Sequence, residues 1–270
     1  MGQALVRLAQ ERRDIEIIGG ISSGAGHGVN EAGVPDDASA GSRPTSGATG
    51  SDTSIRIVTP DAAADLITAA DVVIDFSVAE ATRALLGHAG DAIAGRALIV
   101  GTTGLDPAVQ EQLDSMAERA AVLTAANFSV GVNLLLGLTR RVAAALEPAS
   151  HDIEIVEAHH RRKVDAPSGT ALALGGAAAE GRHVALANVR RDGRSGDSGP
   201  RPEGEIGFHA VRGGGIVGDH RVIFAGERER IELVHEALDR AVFAEGALAA
   251  ARWIDGRERG RWTMQDVLGM

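Results

Sequence analysis

Three observations predict an α/β protein with a doubly wound parallel sheet, followed by an α+β unit with an open mixed sheet. Short apolar runs alternate with helical segments in the first half of the chain. Strand-like runs joined by glycine-rich turns such as Gly213-Gly214-Gly215 dominate the second half. The last segment, Ala237 to Trp253, is apolar at helical spacing.

The elements follow in chain order. Leu5 to Gln10 reads as a helix and Ile15 to Ile18 as a strand. From Gly24 to about Ser54 the chain is rich in Gly, Ala, Ser, Asp and Pro with little apolar period, which reads as a long insertion. Asp71 to Phe76 and the nearly all-apolar Ala97 to Val100 read as strands, the second as a buried one. Asp106-Pro107 opens a helix to about Arg119, with proline at a tolerated first-turn position, and Val122 to Ala125 is the next strand. Loops after Val100 and Thr124 therefore lie at strand carboxyl ends, where open parallel sheets bind ligands. A helix from Asn133 to about Leu146 leads to a strand over Asp152 to Glu157 and a helix starting at Ser168. Ile206 to Val211, Gly218 to Phe224 and Arg230 to Val234 read as the remaining strands.

Composition narrows the function. A chain of 270 residues that is 44% apolar can hold two modest cores. Net charge is 27 − 37 = −10, which argues against a nucleic-acid partner, because phosphate binding needs a basic face. The chain has no cysteine, which removes disulfides, thiolate nucleophiles and zinc–thiolate sites. No run of about 18 uncharged apolar residues occurs, and Arg7, Glu11, Arg12, Arg13 and Asp14 stand where a secretory core would lie. A soluble cytoplasmic protein with no membrane partner is expected. His27, His88, His151, His183, His209 and His235 show no metal-ligand spacing, so no metal site is expected.

The chemistry concentrates in Glu157-Ala158-His159-His160-Arg161-Arg162-Lys163-Val164-Asp165-Ala166-Pro167-Ser168-Gly169-Thr170. Here a strand ends in two histidines and a helix starts at Ser168, a favourable N-cap. The first-turn amides of Gly169 and Thr170 then face whatever anion lies in front of them. Imidazole titrates near neutrality, and Lys163 adds a fixed cation, so the block suggests an anionic ligand and an acid-catalysed step. Arg161 and Arg162 read as solvated charge; Glu157, Asp219 and His220 read as partners for buried backbone groups. Trp253 and Trp262 read as packing for the terminal helix.

This block resembles the signature of the 4-hydroxy-tetrahydrodipicolinate (dihydrodipicolinate) reductase family. The likeness continues in Asp71-Val72-Val73-Ile74-Asp75-Phe76-Ser77, Gly101-Thr102-Thr103-Gly104, Ala125 to Asn133, Ile206-Gly207-Phe208, and Arg212, Gly215, Gly218 and His220. The resemblance implies a Rossmann-like nucleotide domain over residues 1–129, completed by a helix within 238–270, and a substrate-binding and oligomerisation domain over 130–237. It implies NADH or NADPH as cofactor, reduction of 4-hydroxy-tetrahydrodipicolinate in lysine and diaminopimelate synthesis, and a homotetramer built by the second domain's open sheet. The cofactor is expected at Gly101, Thr102, Thr103, Ala125, Ala126, Asn127 and Phe128. A small cyclic dicarboxylate is expected at His160, Gly169 and Thr170, and His159 or Lys163 supplies the proton; by its position Asp165 is expected either to orient Lys163 or to cap the loop.

Two departures from the family pattern fall in the nucleotide domain. Met1-Gly2-Gln3-Ala4-Leu5 matches only the end of the family's glycine-rich turn, so the first strand of the sheet is expected to be missing. A mis-called start explains this more simply than real loss; real loss would leave a weakened dicarboxylate-binding protein. Where NAD-preferring folds carry an acidic residue after the second strand, this chain has Gly19-Gly20-Ile21-Ser22-Ser23-Gly24. Ser22 and Ser23 are therefore expected to tolerate or favour the 2′-phosphate of NADPH, or to serve only as turn formers.

Overall fold

Ala97, Leu98, Ile99 and Val100 are all buried, so the strand they form is covered on both faces. The structure is a computed structural model that describes residues 1–22 and 55–270. Ser23 and the segment read as an insertion lie outside the described residues, up to residue 54. The chain divides into two compact units, Met1–Ala126 with Ala244–Val267, and Asn127–Phe243 with Leu268–Met270.

In the first unit, α1 (Gly2–Gln10) precedes a short parallel pair, β1 (Gly20–Ile21) with β2 (Ile57–Val58). After a 3-10 turn and α2 (Ala64–Thr68) come β3 (Val72–Asp75), α3 (Ala79–Ile93), β4 (Ala97–Val100), α4 (Pro107–Ala117) and β5 (Ala121–Thr124). β3, β4 and β5 run parallel, with Val72 opposite Ala97 and Ala97 opposite Ala121. Leu85, Leu86, Ala89 and Ile93 of α3 and Val109, Leu113 and Met116 of α4 bury one face against Val73, Leu98, Val100 and Val122. Asp106 caps α4 by accepting from Val109 N at 3.1 Å, which is why that helix starts where its Asp-Pro signal predicts.

Ile15–Ile18 corrects an expectation. Its residues alternate between half-buried and exposed as a strand would, yet they form no strand, and pairing is found instead at Gly20–Ile21. Alternation supplies one faced surface, but a strand also needs a hydrogen-bonded neighbour, and among the described residues none lies alongside 15–18.

In the second unit, α5 (Val130–Ala145) starts at Val130, before the expected Asn133, because Ser129 Oγ accepts from Val132 N at 3.2 Å and caps it there. β6 (Asp152–His159), α6 (Gly169–Gly181), α7 (Leu186–Val189), β7 (Arg190–Asp192), β8 (Ile206–Arg212), β9 (Gly218–Ala225) and β10 (Arg230–Ala237) follow. They build a mixed sheet of order β10-β9-β6-β8-β7, parallel between β6 and β8 and antiparallel between β6 and β9. Ile153, Ile155, Phe208, Val222 and Phe224 turn one face toward Leu135, Leu174 and Ala178 of α5 and α6. The opposite face carries Val211 and Val234, which stay exposed.

α8 (Ala241–Ile254) returns the chain to the first unit, and β11 (Gly260–Trp262) extends its sheet by pairing parallel to β5 before α9 (Met264–Leu268). α8 begins later than the apolar period suggested, because Ala237 is still paired with Gly218 and Asp239 accepts from Ala241 N at 2.6 Å. Trp253 and Trp262 pack edge-to-face, with ring centroids 5.4 Å apart.

Candidate active site

Sheet register brings the site of the second unit together. His159 lies opposite Arg212 on β8, and Glu157 lies opposite His220 on β9, so residues of three neighbouring strands share the face that α6 covers. Glu157 is fully enclosed, with 1% of its side chain exposed. Its Oε2 accepts from His159 Nδ1 at 2.6 Å and from Arg212 Nη1 at 2.7 Å. Its Oε1 accepts from Arg212 Nη2 at 2.7 Å and from the Ser168 amide at 3.1 Å. Burial works to raise the Glu157 carboxyl, but Arg212, His159 and the Ser168 amide outweigh it and hold the group below its ordinary range.

That carboxylate ties the end of β6 to the start of α6. Ser168 caps the helix by accepting from Ala171 N at 3.1 Å, as its sequence position predicts. The same hydroxyl lies 3.1 Å from Nε2 of buried His220. Burial, then the neighbouring His159, pushes His220 down to about 4, so it is neutral near pH 7. The His220 ring stands edge-on to His159 at 5.1 Å between centroids. Gly169 is exposed and Thr170 half-buried; their first-turn amides point out of the helix end, and Thr170 Oγ1 accepts from Asn127 Nδ2 at 3.2 Å.

The loop between strand and helix folds back on itself. Lys163 N donates to the His160 carbonyl at 3.0 Å, and Lys163 Nζ pairs with Asp165 at 2.8 Å. The ammonium, first of all, holds the Asp165 carboxyl below its usual range. Arg212 Nη2 also donates to the Asp165 carbonyl at 2.7 Å, pinning the loop from the β8 side. His160 has Nε2 3.4 Å from Arg240 Nη2 and is pushed down by partial burial and by the charges of Arg162, Arg240 and Lys163. Arg161 and Arg162 are exposed, as expected. The cluster thus offers an ammonium, two imidazoles and helix-end amides, which suits a small dianion and a proton donor.

Glu157 and His220 differ from their expected roles as partners of backbone groups. Glu157 does take the Ser168 amide, but three of its four bonds go to side chains, and His220 takes a hydroxyl. Period-two alternation already placed Glu157 and His159 on one face of a strand, a signal that points to their contact. Arg240 carried no such signal, since it is brought to His160 by the chain after β10.

In the first unit, Gly101, Thr102 and Thr103 follow β4, and Ala125 and Ala126 follow β5, at the carboxyl ends of the parallel sheet. Asn127 and Phe128 open the second unit, and Phe128 is buried. Gly101 packs flat on Phe76, whose ring would stand 2.2 Å from a Cβ. Thr102 is buried and accepts from Ser77 N at 3.1 Å, whereas Thr103 is exposed. Ser22 follows β1, its amide donating to the Val58 carbonyl at 2.9 Å, and no carboxylate stands among Gly19–Ser22. Strand-end loops of Gly, Ala and Thr at the carboxyl edge of a parallel sheet fit a dinucleotide.

A parallel-sheet unit with such loops, and a mixed-sheet unit with an acid cluster at a helix start, define a nicotinamide-dependent reductase of anionic substrates. Models of the dihydrodipicolinate reductase N-terminus and C-terminus match residues 1–128 and 131–268, and the chain belongs to this family. The 4-hydroxy-tetrahydrodipicolinate reductase of Caulobacter vibrioides is 53% identical over 203 residues, covering 75% of this chain and 79% of that protein. The enzyme of that name from Parvibaculum lavamentivorans is 47% identical over 272 residues, covering 100% and 94%. A dipicolinate-bound dihydrodipicolinate reductase from Paenisporosarcina sp. TG-14 shares the fold at a TM-score of 0.69, with 22% identity over 98% of this chain and 94% of that one.

Proposed function

We infer that the protein reduces 4-hydroxy-tetrahydrodipicolinate to tetrahydrodipicolinate with NADH or NADPH, in lysine and diaminopimelate synthesis. The observation that carries this reading is the joining of His159, the Lys163–Asp165 pair and the start of α6 through Glu157 and Arg212. The alternative of a silent dicarboxylate-binding protein is not favoured, because relatives about half identical to this chain are named reductases.

The Gly169 and Thr170 amides, the Thr170 hydroxyl and His160 hold the substrate carboxylates, and Arg240 adds positive charge beside His160. Fixing both carboxylates orients the ring and removes the entropy of a free encounter. Gly101–Thr103, Ala125–Phe128 and Ser22 carry the nucleotide. When bound, reduced nicotinamide supplies the hydride. The 4-hydroxyl leaves as water to give the conjugated ring, His159 or Lys163 gives that ring the proton that balances the hydride, and Asp165 holds the Lys163 ammonium in place. The uncovered face of β10-β9-β6-β8 is the surface through which we propose the chain forms a homotetramer. Work on a free metabolite and a free cofactor supports residence in the cytoplasm, and among the described residues no helix is long and apolar enough to cross a membrane.

The purified chain is expected to oxidise NADPH and NADH only when 4-hydroxy-tetrahydrodipicolinate is present, followed by loss of reduced-nicotinamide absorbance. No oxidation of either cofactor removes the reading, and a strong NADH preference removes the role given to Ser22. Lys163→Ala is expected to lower kcat by about 100-fold or more while cofactor affinity stays within about twofold. Near-normal turnover of that variant removes Lys163 as a donor.

A further inference from the structure

We propose that Glu157 is a positioning residue that fixes the tautomer of His159, so that Nε2 is the atom that gains and loses the working proton. This role rests on the reductase reading above, and it follows from what a carboxylate can accept. An ionised carboxylate has no hydrogen to give. His159 Nδ1 lies 2.6 Å from Glu157 Oε2, so Nδ1 must carry the hydrogen and Nε2 must carry the lone pair of the neutral ring.

The carboxylate is itself immobile. Four donors meet its two oxygens, two from Arg212, one from His159 and one from the Ser168 amide, and its side chain is 1% exposed. Its negative charge is matched by the Arg212 guanidinium before His159 takes up a proton, so the dominant effect on His159 is orientation. The second imidazole does not compete for Glu157. Ser168 Oγ accepts from Ala171 N and lies 3.1 Å from His220 Nε2, so His220 is engaged by that hydroxyl and not by Glu157. His159 Nε2 has room only because residue 218 is glycine; a Cβ there would stand 3.1 Å away.

Glu157→Gln separates this role from simple bulk. An amide has one acceptor and one donor group, so one end must face donors. With its oxygen at the Oε1 position it satisfies Arg212 Nη2 and Ser168 N and opposes only Arg212 Nη1. With its oxygen at the Oε2 position it opposes both Arg212 Nη2 and Ser168 N. The first arrangement wins, and its NH2 group then donates to His159 Nδ1. The tautomer inverts, leaving the hydrogen on Nε2.

The test is long-range 1H–15N spectroscopy of the full chain labelled at histidine, with the His159 signals assigned by their loss in His159→Asn. The neutral ring of wild-type His159 is expected to show a protonated Nδ1 and a bare Nε2, and that of Glu157→Gln the reverse. kcat of Glu157→Gln is expected to fall about 10- to 1000-fold with KM for the cofactor nearly unchanged. Glu157→Asp, which keeps the acceptor-only group, is expected to retain the wild-type tautomer and recover part of the rate. A wild-type ring with its hydrogen on Nε2 overturns the proposal, as does a Glu157→Gln protein with unchanged tautomer and turnover. If Glu157→Gln does not fold, the wild-type spectrum and Glu157→Asp decide. The spectra need no substrate, so a protein inactive on 4-hydroxy-tetrahydrodipicolinate with the stated tautomer sinks the reductase reading and leaves this one standing.

Discussion

His220 has its charge state set by enclosure beneath α6. The groups that bear on it are His159, Glu157, His235 and Lys163, and burial outweighs them all, pushing it from 6.5 to about 4. The unfolded chain therefore takes up this proton first as pH falls. Stability from keeping His220 neutral is fully present above about 6.5 and is lost as pH falls toward 4, a change of roughly 3 kcal/mol. Glu157, held below its ordinary 4.5, contributes its own loss only at lower pH. Urea midpoints for wild type are expected to fall between about pH 7 and pH 5, and His220→Asn is expected to flatten that fall. At this scale the sequence was legible in type more than in role. His159, His160, Lys163 and Ser168 sit in one short run whose residue types announce proton transfer and anion capture. Arg212, which the sequence marks only as part of the family likeness, and Arg240, which it does not mark, reach the same place through strand register and a late loop.

Elements were legible where local chemistry decides them alone. Asp106-Pro107 starts α4 because the side chain accepts a first-turn amide and proline lacks one to lose. Asp106→Ala is expected to cost about 1 kcal/mol in urea unfolding without changing turnover, since this cap lies in the first unit's core-facing helix. β4 was legible because four consecutive apolar residues fit only a strand covered on both faces. α3 escaped notice although Leu85, Leu86, Ala89 and Ile93 recur at helical spacing, because alanines and glycines between them blur the polar face. Ile15–Ile18 shows the opposite failure: the alternation is real, and pairing, which depends on a distant segment, is not there. β7 and β11 are three residues each and carry no periodicity long enough to read.

A parallel sheet followed by a mixed sheet was anticipated from the change of pattern along the chain. Among the described residues, helices cover the second sheet on one face only. Val234 lies opposite Arg221 on the other face, whereas Phe224 and Val222 turn toward α5 and α6. With Val211 it leaves apolar side chains exposed on that uncovered surface, 47% and 49% accessible. Light scattering is expected to give the wild-type chain the mass of four copies. Val234→Glu, which places a charge on that face, is expected to lower the mass. An unchanged mass for the variant removes this surface as the assembly contact.

The edge-to-face pair of Trp253 and Trp262 settles what an optical signal from this protein can report. These are the chain's two tryptophans, it has no tyrosine, and both lie within the parallel-sheet unit. Intrinsic emission is therefore a private channel of that unit. It will follow that unit's melting, whereas a fluorophore placed on the histidine-bearing sheet gives that sheet a signal of its own.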